Sequence, residues 1–204
     1  MECAVEHWTY NLPLYQQIRL RTPPPARILE VGCGYEFSAI YLKEAGYDVV
    51  GIDNNPELVD RTQKCGEFFQ TKVSIEWADA LDLGRLYRRF DLAFSLGVIE
   101  HFGREQAIDI LKEKTKCERY VMAMPSAHSR KLVPSCEVDW VTYSRTGLRS
   151  LFKDAGLVNV AGFGYGDLVS PLHRAVKRML PYAVYRLLQN RFLLRCGPCL
   201  CWEL

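Results

Sequence analysis

The chain has 204 residues, 49% hydrophobic and 25% charged, which suits one globular domain with a full core. Its net charge of +2 is too mild to argue by itself for nucleic acid, and no apolar run approaches the roughly 18 residues of a membrane span. The opening MECAVEHWTY lacks the charged-then-apolar layout of a signal peptide. A cytoplasmic protein is therefore expected, with its eight cysteines as reduced thiols.

Residues 1–25 read as a helical arm and a linker. Trp8, Tyr10, Leu12, Leu14, Tyr15 and Ile18 recur at loosely helical spacing, and Pro23, Pro24 and Pro25 then stiffen the chain. The first strand is expected over Arg27 to Val31, a run buried on both faces apart from Glu30. Gly32 and Gly34 follow, allowing a tight turn and a close approach of backbone to a ligand. Ser38 to Ala45 reads as a helix stopped by Gly46, and Asp48 to Ile52 as a second strand ending in Asp53. This is the sequence form of a βαβ unit with a ligand site at the end of its first strand.

Pro56 is a natural first residue for the next helix, which runs to Cys65 or Phe69. Val73 to Trp77 reads as a third strand ending at Ala78 and Asp79, and Phe90 to Leu96 as a buried fourth strand leading into Gly97, Val98, Ile99, Glu100 and His101. A helix over Glu105 to Cys117 and a fifth strand over Tyr120 to Met124 complete the alternation. Ala127 to Val141 is polar and irregular, the kind of long loop that tends to carry function. Thr146 to Ala155 reads as a helix, Leu157 to Phe163 as a sixth strand, Pro171 to Leu180 and Tyr182 to Leu194 as amphipathic helical pieces, and Cys199 to Leu204 as a last strand.

Strands alternating with helices predict an α/β fold, a Rossmann-like doubly wound sheet, mostly parallel and seven-stranded, with helices on both faces. Residues 26–204 form its domain, with the 127–145 loop and the 171–194 basic helical insertion inside it. Ligands in such sheets bind beyond the carboxyl ends of the strands, and Gly32–Gly34, Asp53, Asp79 and Leu96–His101 all fall at those ends. A carboxylate at Asp53, 23 positions after Glu30, is placed to accept two hydrogen bonds from a ribose diol. The other reading of Asp53 is a cap for the Pro56 helix. Asn54 or Asn55 can do that capping, which favours the ribose. The turn lacks the third glycine of a dinucleotide fingerprint, since position 37 is Phe.

With ILEVGCG, VVGIDNNPELV, WADALDL and FDLAFSLGVIEHF in place, the chain resembles the class I S-adenosylmethionine-dependent methyltransferases, and within them small-molecule enzymes such as those of quinone biosynthesis. The resemblance covers Ala26 to Gly162. It implies that Glu30, Gly32 and Gly34 form the turn under the methionine part of S-adenosylmethionine. It further implies that Asp53 binds the ribose, with Asn54 beside the adenine. Asp79 would accept from the adenine amino group between Ala78 and Ala80. Leu96 and Gly97 would line the site near the sulfonium, and Glu100 and His101 would face the substrate. S-adenosylhomocysteine is the implied product. Where the family usually has a third glycine this chain has Glu36, which can pair with the cofactor's ammonium group or narrow the pocket.

A methyl acceptor that loses a proton needs a base, and His101 is the candidate, with a polar contact at a helix start as its alternative role. His128 is a weaker second candidate, and His7 and His173 are expected at the surface. Cys196, Cys199 and Cys201 are spaced as metal ligands can be, but they lack a fourth partner and read as buried apolar residues, so no metal is expected. From Leu168 to Trp202 there are six basic residues and no acidic one. Such a basic amphipathic stretch can rest on an anionic membrane, cover an apolar substrate or simply pack with a solvated face. The expected function is methyl transfer to oxygen, nitrogen or carbon of a small or lipid-like acceptor, without nucleic acid as partner. A protein or RNA methyltransferase and a non-catalytic S-adenosylmethionine-binding module are the alternatives.

Overall fold

The structure, a computed structural model, describes residues 2–34, 37–86, 90–114, 117, 119–125, 141–157, 161–165, 178–181, 184 and 199–203. Five strands run parallel: β1 (Arg27–Val31), β2 (Asp48–Asp53), β3 (Ser74–Trp77), β4 (Leu92–Leu96) and β5 (Tyr120–Pro125). Beyond β5, β7 (Cys199–Glu203) pairs antiparallel with both β5 and β6 (Ala161–Tyr165), so the order across the sheet is β3-β2-β1-β4-β5-β7-β6. Chain order reverses between β1 and β4, and that reversal opens a crevice at the carboxyl ends of the central strands.

Side chains alternate across the strands and build two cores. On one face Leu29, Val31, Val50, Ile52, Met122 and Met124 pack with Ala107, Ile110 and Leu111 of α4 (Arg104–Lys114) and Leu148, Leu151 and Phe152 of α5 (Arg145–Asp154). On the other, Ile28, Val49, Leu92, Phe94, Val121 and Ala123 pack with Leu14, Tyr15 and Ile18 of α1 (Glu2–Arg21) and Ala39 and Leu42 of α2 (Ser38–Glu44). Leu14 and Ile18 are both fully buried.

α2, α3 (Pro56–Phe68) and α5 end in one way. Gly46, Gln70 and Gly156 take positive φ, and the next residue's N–H reaches back to close the helix: Tyr47 to the Leu42 carbonyl, Thr71 to Gly66 and Leu157 to Phe152. This corrects the sixth strand. Leu157 belongs to the end of α5, and β6 begins at Ala161. The helix after β4 is described to Lys114, short of the expected Cys117, and β5 runs one residue further, through Pro125. Glu36, His128, nearly all of the Ala127–Val141 loop, Cys196 and most of the 171–194 segment lie outside the described residues. No helix among the described residues is long and apolar enough to cross a membrane.

Leu14→Ala removes a fully buried side chain from the α1 core, so we expect a loss of about 3 kcal/mol in urea unfolding. A loss under about 1 kcal/mol would mean that α1 is not part of the folded core.

Candidate functional site

The β1–α2 turn is held by its own backbone. The N–H groups of Gly32 and Cys33 both donate to the Ile52 carbonyl at 2.9 Å, and Gly34 N–H donates to Asp53 Oδ2 at 2.9 Å. Three successive amides thus point at the end of β2. Gly32 has φ +72°, and a Cβ there would stand 2.5 Å from Val98 Cγ2, so no larger residue fits. Thr62 of α3 donates its hydroxyl to the Gly34 carbonyl. Thr62 and the cavity-lining Leu58 are four residues apart and share one face of α3.

Asp53 ends β2 and is 8% exposed. Its second oxygen, Oδ1, accepts from Asn55 N–H at 2.9 Å. Asn55 itself caps α3, its side-chain oxygen accepting from Glu57 N–H at 2.9 Å. Asp53 is therefore not the helix cap. It ties the glycine turn to the start of α3, and each carboxylate oxygen keeps lone-pair capacity for a ligand. Trp77, at the end of β3, donates its indole N–H to the Asn54 carbonyl at 2.9 Å and so fixes the next residue of the rim.

These strand ends line a cavity of about 490 Å³. Its wall follows the strand order: Ala78 and Ala80 after β3, Ile52, Asp53 and Asn54 at β2, Gly32 and Gly34 after β1, then Leu96, Gly97, Val98, His101 and Phe102 after β4, with Leu58 from α3. Four strand ends at about 4.8 Å spacing give a groove about 14 Å long. Of the residues expected here, Glu30, Asp79 and Glu100 are not in the wall, and Glu100 is buried. Glu30 is buried within β1, on the α1–α2 side by strand alternation. Asp79 is exposed, with Oδ1 accepting from Leu81 N–H at 2.9 Å.

His101 closes a short 3-10 turn over Ile99–His101. It stands at the rim, exposed on one side, and the burial of the remainder lowers its pKa below the ordinary 6.5. Val141 N–H donates to the Glu100 carbonyl at 2.8 Å, so the chain returns to this segment after β5. His7 is a correction. It is half-buried rather than at the surface, with Nε2 3.3 Å from Ser38 Oγ, and its pKa is likewise lowered by burial. Cys33 is fully buried, as a packing residue should be. Among the described residues no cluster of three or more metal-ligating side chains occurs. Thr62, Trp77 and Leu58 were not expected from the sequence. The four-residue spacing of Leu58 and Thr62 after Asp53 was the signal available for two of them.

A doubly wound sheet with a glycine turn, an acidic residue closing the second strand and a groove across four strand ends defines a class of protein, and the comparisons agree. Residues 28–118 match the family model described as a methyltransferase domain. Over that stretch the chain is similar to the S-adenosylmethionine-dependent methyltransferases. It is 26% identical over 154 residues to a probable S-adenosyl-L-methionine-dependent methyltransferase, TehB, of Haemophilus influenzae, covering 74% of this chain and 51% of that protein. It is 32% identical over 82 residues to a ubiquinone biosynthesis O-methyltransferase of Azorhizobium caulinodans, covering 40% of this chain and 32% of that one. The chain thus spans about half or less of the length of these curated relatives. Among solved structures, magnesium protoporphyrin IX methyltransferase from Synechocystis PCC 6803 with bound SAM shares the fold at TM-score 0.64 and 18% identity, covering 80% of this chain and 74% of that one.

Asn55→Ala removes the α3 cap but keeps the backbone N–H that Asp53 binds. Stability should fall by about 1 kcal/mol in chemical denaturation. An unchanged midpoint would mean that Asn55 does not cap.

Proposed function

We propose that this groove binds S-adenosylmethionine and that the chain transfers its methyl group to oxygen, nitrogen or carbon of a small or lipid-like acceptor. The observation that carries the reading is the order of the wall, with an apolar end at β3, a carboxylate at β2, a glycine turn at β1 and an open segment with His101 after β4. That sequence of surfaces suits a base, a ribose diol and an amino-acid chain laid along the strand ends. Asp53 fits the ribose, because its oxygens retain lone pairs after binding Gly34 and Asn55. Leu58, Ala78 and Ala80 offer the apolar wall for adenine. Asp79 can take the adenine amino group without releasing Leu81, since a carboxylate has acceptor capacity to spare. Glu30, below the wall, supports the turn from within β1.

When bound, the cofactor supplies a methyl group already activated on a sulfonium. The protein then has to align the acceptor, exclude water and take a proton where the acceptor carries one. Leu96 and Gly97 form the wall for the sulfonium end, Val98 and Phe102 shed water, and His101 accepts the proton. The relatives named for ubiquinone biosynthesis and magnesium protoporphyrin IX support a small-molecule acceptor.

The base is neutral above its pKa, and burial lowers that pKa. The acid limb of turnover should therefore fall below pH 6.5, and His101→Gln should lower kcat at least tenfold and remove the limb while cofactor affinity stays within about twofold. A pH profile unchanged by the substitution would make His101 a polar rim residue only. For the cofactor site, Asp53→Ala should weaken S-adenosylmethionine binding at least a hundredfold in calorimetry. Affinity within threefold of the wild type would contradict the ribose assignment. Wild-type binding of S-adenosylmethionine and S-adenosylhomocysteine without turnover on phenols, quinols, amines and lipids would favour a non-catalytic binding module.

A further inference from the structure

α1 reaches the far end of the glycine turn. Trp8 Nε1 donates to the Phe37 carbonyl at 2.8 Å, across 29 positions of sequence. That carbonyl also accepts the first helical hydrogen bond of α2, from Tyr41 N–H at 3.0 Å. Next to it Ser38 is fully buried, and its hydroxyl lies 2.9 Å from Tyr15 Oη and 3.3 Å from His7 Nε2. Trp8 packs its ring against Phe37, Tyr41 and Phe69 at centroid distances of 6.3, 6.0 and 5.5 Å.

α2 needs this help, because its N-cap is Phe37, which makes no side-chain capping bond. The turn is clamped at Gly34 by Asp53 and Thr62. At Phe37 and Ser38 α1 supplies hydrogen bonds from Trp8 and Tyr15, and Phe69 packs its ring on Phe37 at 6.0 Å. We propose that Trp8 is a positioning residue for the cofactor site, its indole N–H holding the Phe37 carbonyl so that the turn keeps its binding-competent shape. The proposal rests on the reading of the groove as the S-adenosylmethionine site. A turn that loses one of its two clamps spends less time in the competent shape, and the apparent affinity falls by that fraction.

Trp8→Phe deletes the donor and keeps an aromatic ring in the cluster. In calorimetry with S-adenosylmethionine its Kd should rise about fivefold, equivalent to about 1 kcal/mol at 1.4 kcal/mol per tenfold. Leu14→Ala, in the same helix but in the sheet core, should lower stability more and leave Kd within twofold. Two results overturn the inference: Trp8→Phe binding within twofold of a wild type that does bind, or Leu14→Ala weakening binding as much as Trp8→Phe. A wild type that binds no S-adenosylmethionine overturns the cofactor reading itself, and the inference with it.

Discussion

The site is organised by one carboxylate. Asp53 binds Gly34 N–H with one oxygen and Asn55 N–H with the other, each at 2.9 Å. A nearly buried charge is costly unless hydrogen-bonded, and each charge-assisted bond is worth about 1.5–3 kcal/mol. The two bonds offset the burial of Asp53 and at the same time fix the last residue of β2 against the β1 turn and the start of α3. Without them the three amides that converge on the β2 end would lose one of their two acceptors.

The sheet explains why this happens where it does. Order reverses between β1 and β4, so the helices after β1 and β4 leave to opposite faces and open the crevice between them. α1 and α2 pack one face and α4 and α5 the other. The glycine turn leads into α2 and the segment that carries His101 leads into α4, while Ile52 and Ala78 of the wall belong to the core of α4 and α5.

Much of this was legible from local sequence. Strand ends are marked by apolar runs that stop at glycine or aspartate, so the groove at Gly32, Gly34, Asp53, Ala78, Leu96 and Gly97 could be read before the fold was known. That an asparagine caps the Pro56 helix was readable, with Asn54 and Asn55 both open, and the structure gives the cap to Asn55. What was not legible depends on contacts between distant segments. Trp8 and His7 meet Phe37 and Ser38 some thirty positions away, and nothing in the periodicity of residues 1–20 distinguishes a side chain at the surface from one reaching that turn. Asp79 was placed correctly at the end of β3. Its carboxylate turns to Leu81 because the chain reverses there, with Asp82 N–H donating to the Asp79 carbonyl, a local preference that a family pattern does not encode. Leu157 looked like the start of a strand because it is apolar after a glycine, but an apolar residue in that position also completes a helix end.

The central claim is that an adenosyl cofactor lies along the four strand ends with Asp53 at its ribose. A crystal structure with S-adenosylhomocysteine bound tests it most directly. The account predicts the ribose hydroxyls within hydrogen-bonding distance of Asp53, the adenine against Leu58, Ala78 and Ala80, and Gly34 N–H still bonded to Asp53. A ligand seated elsewhere, or one that leaves Asp53 without a contact, would contradict it.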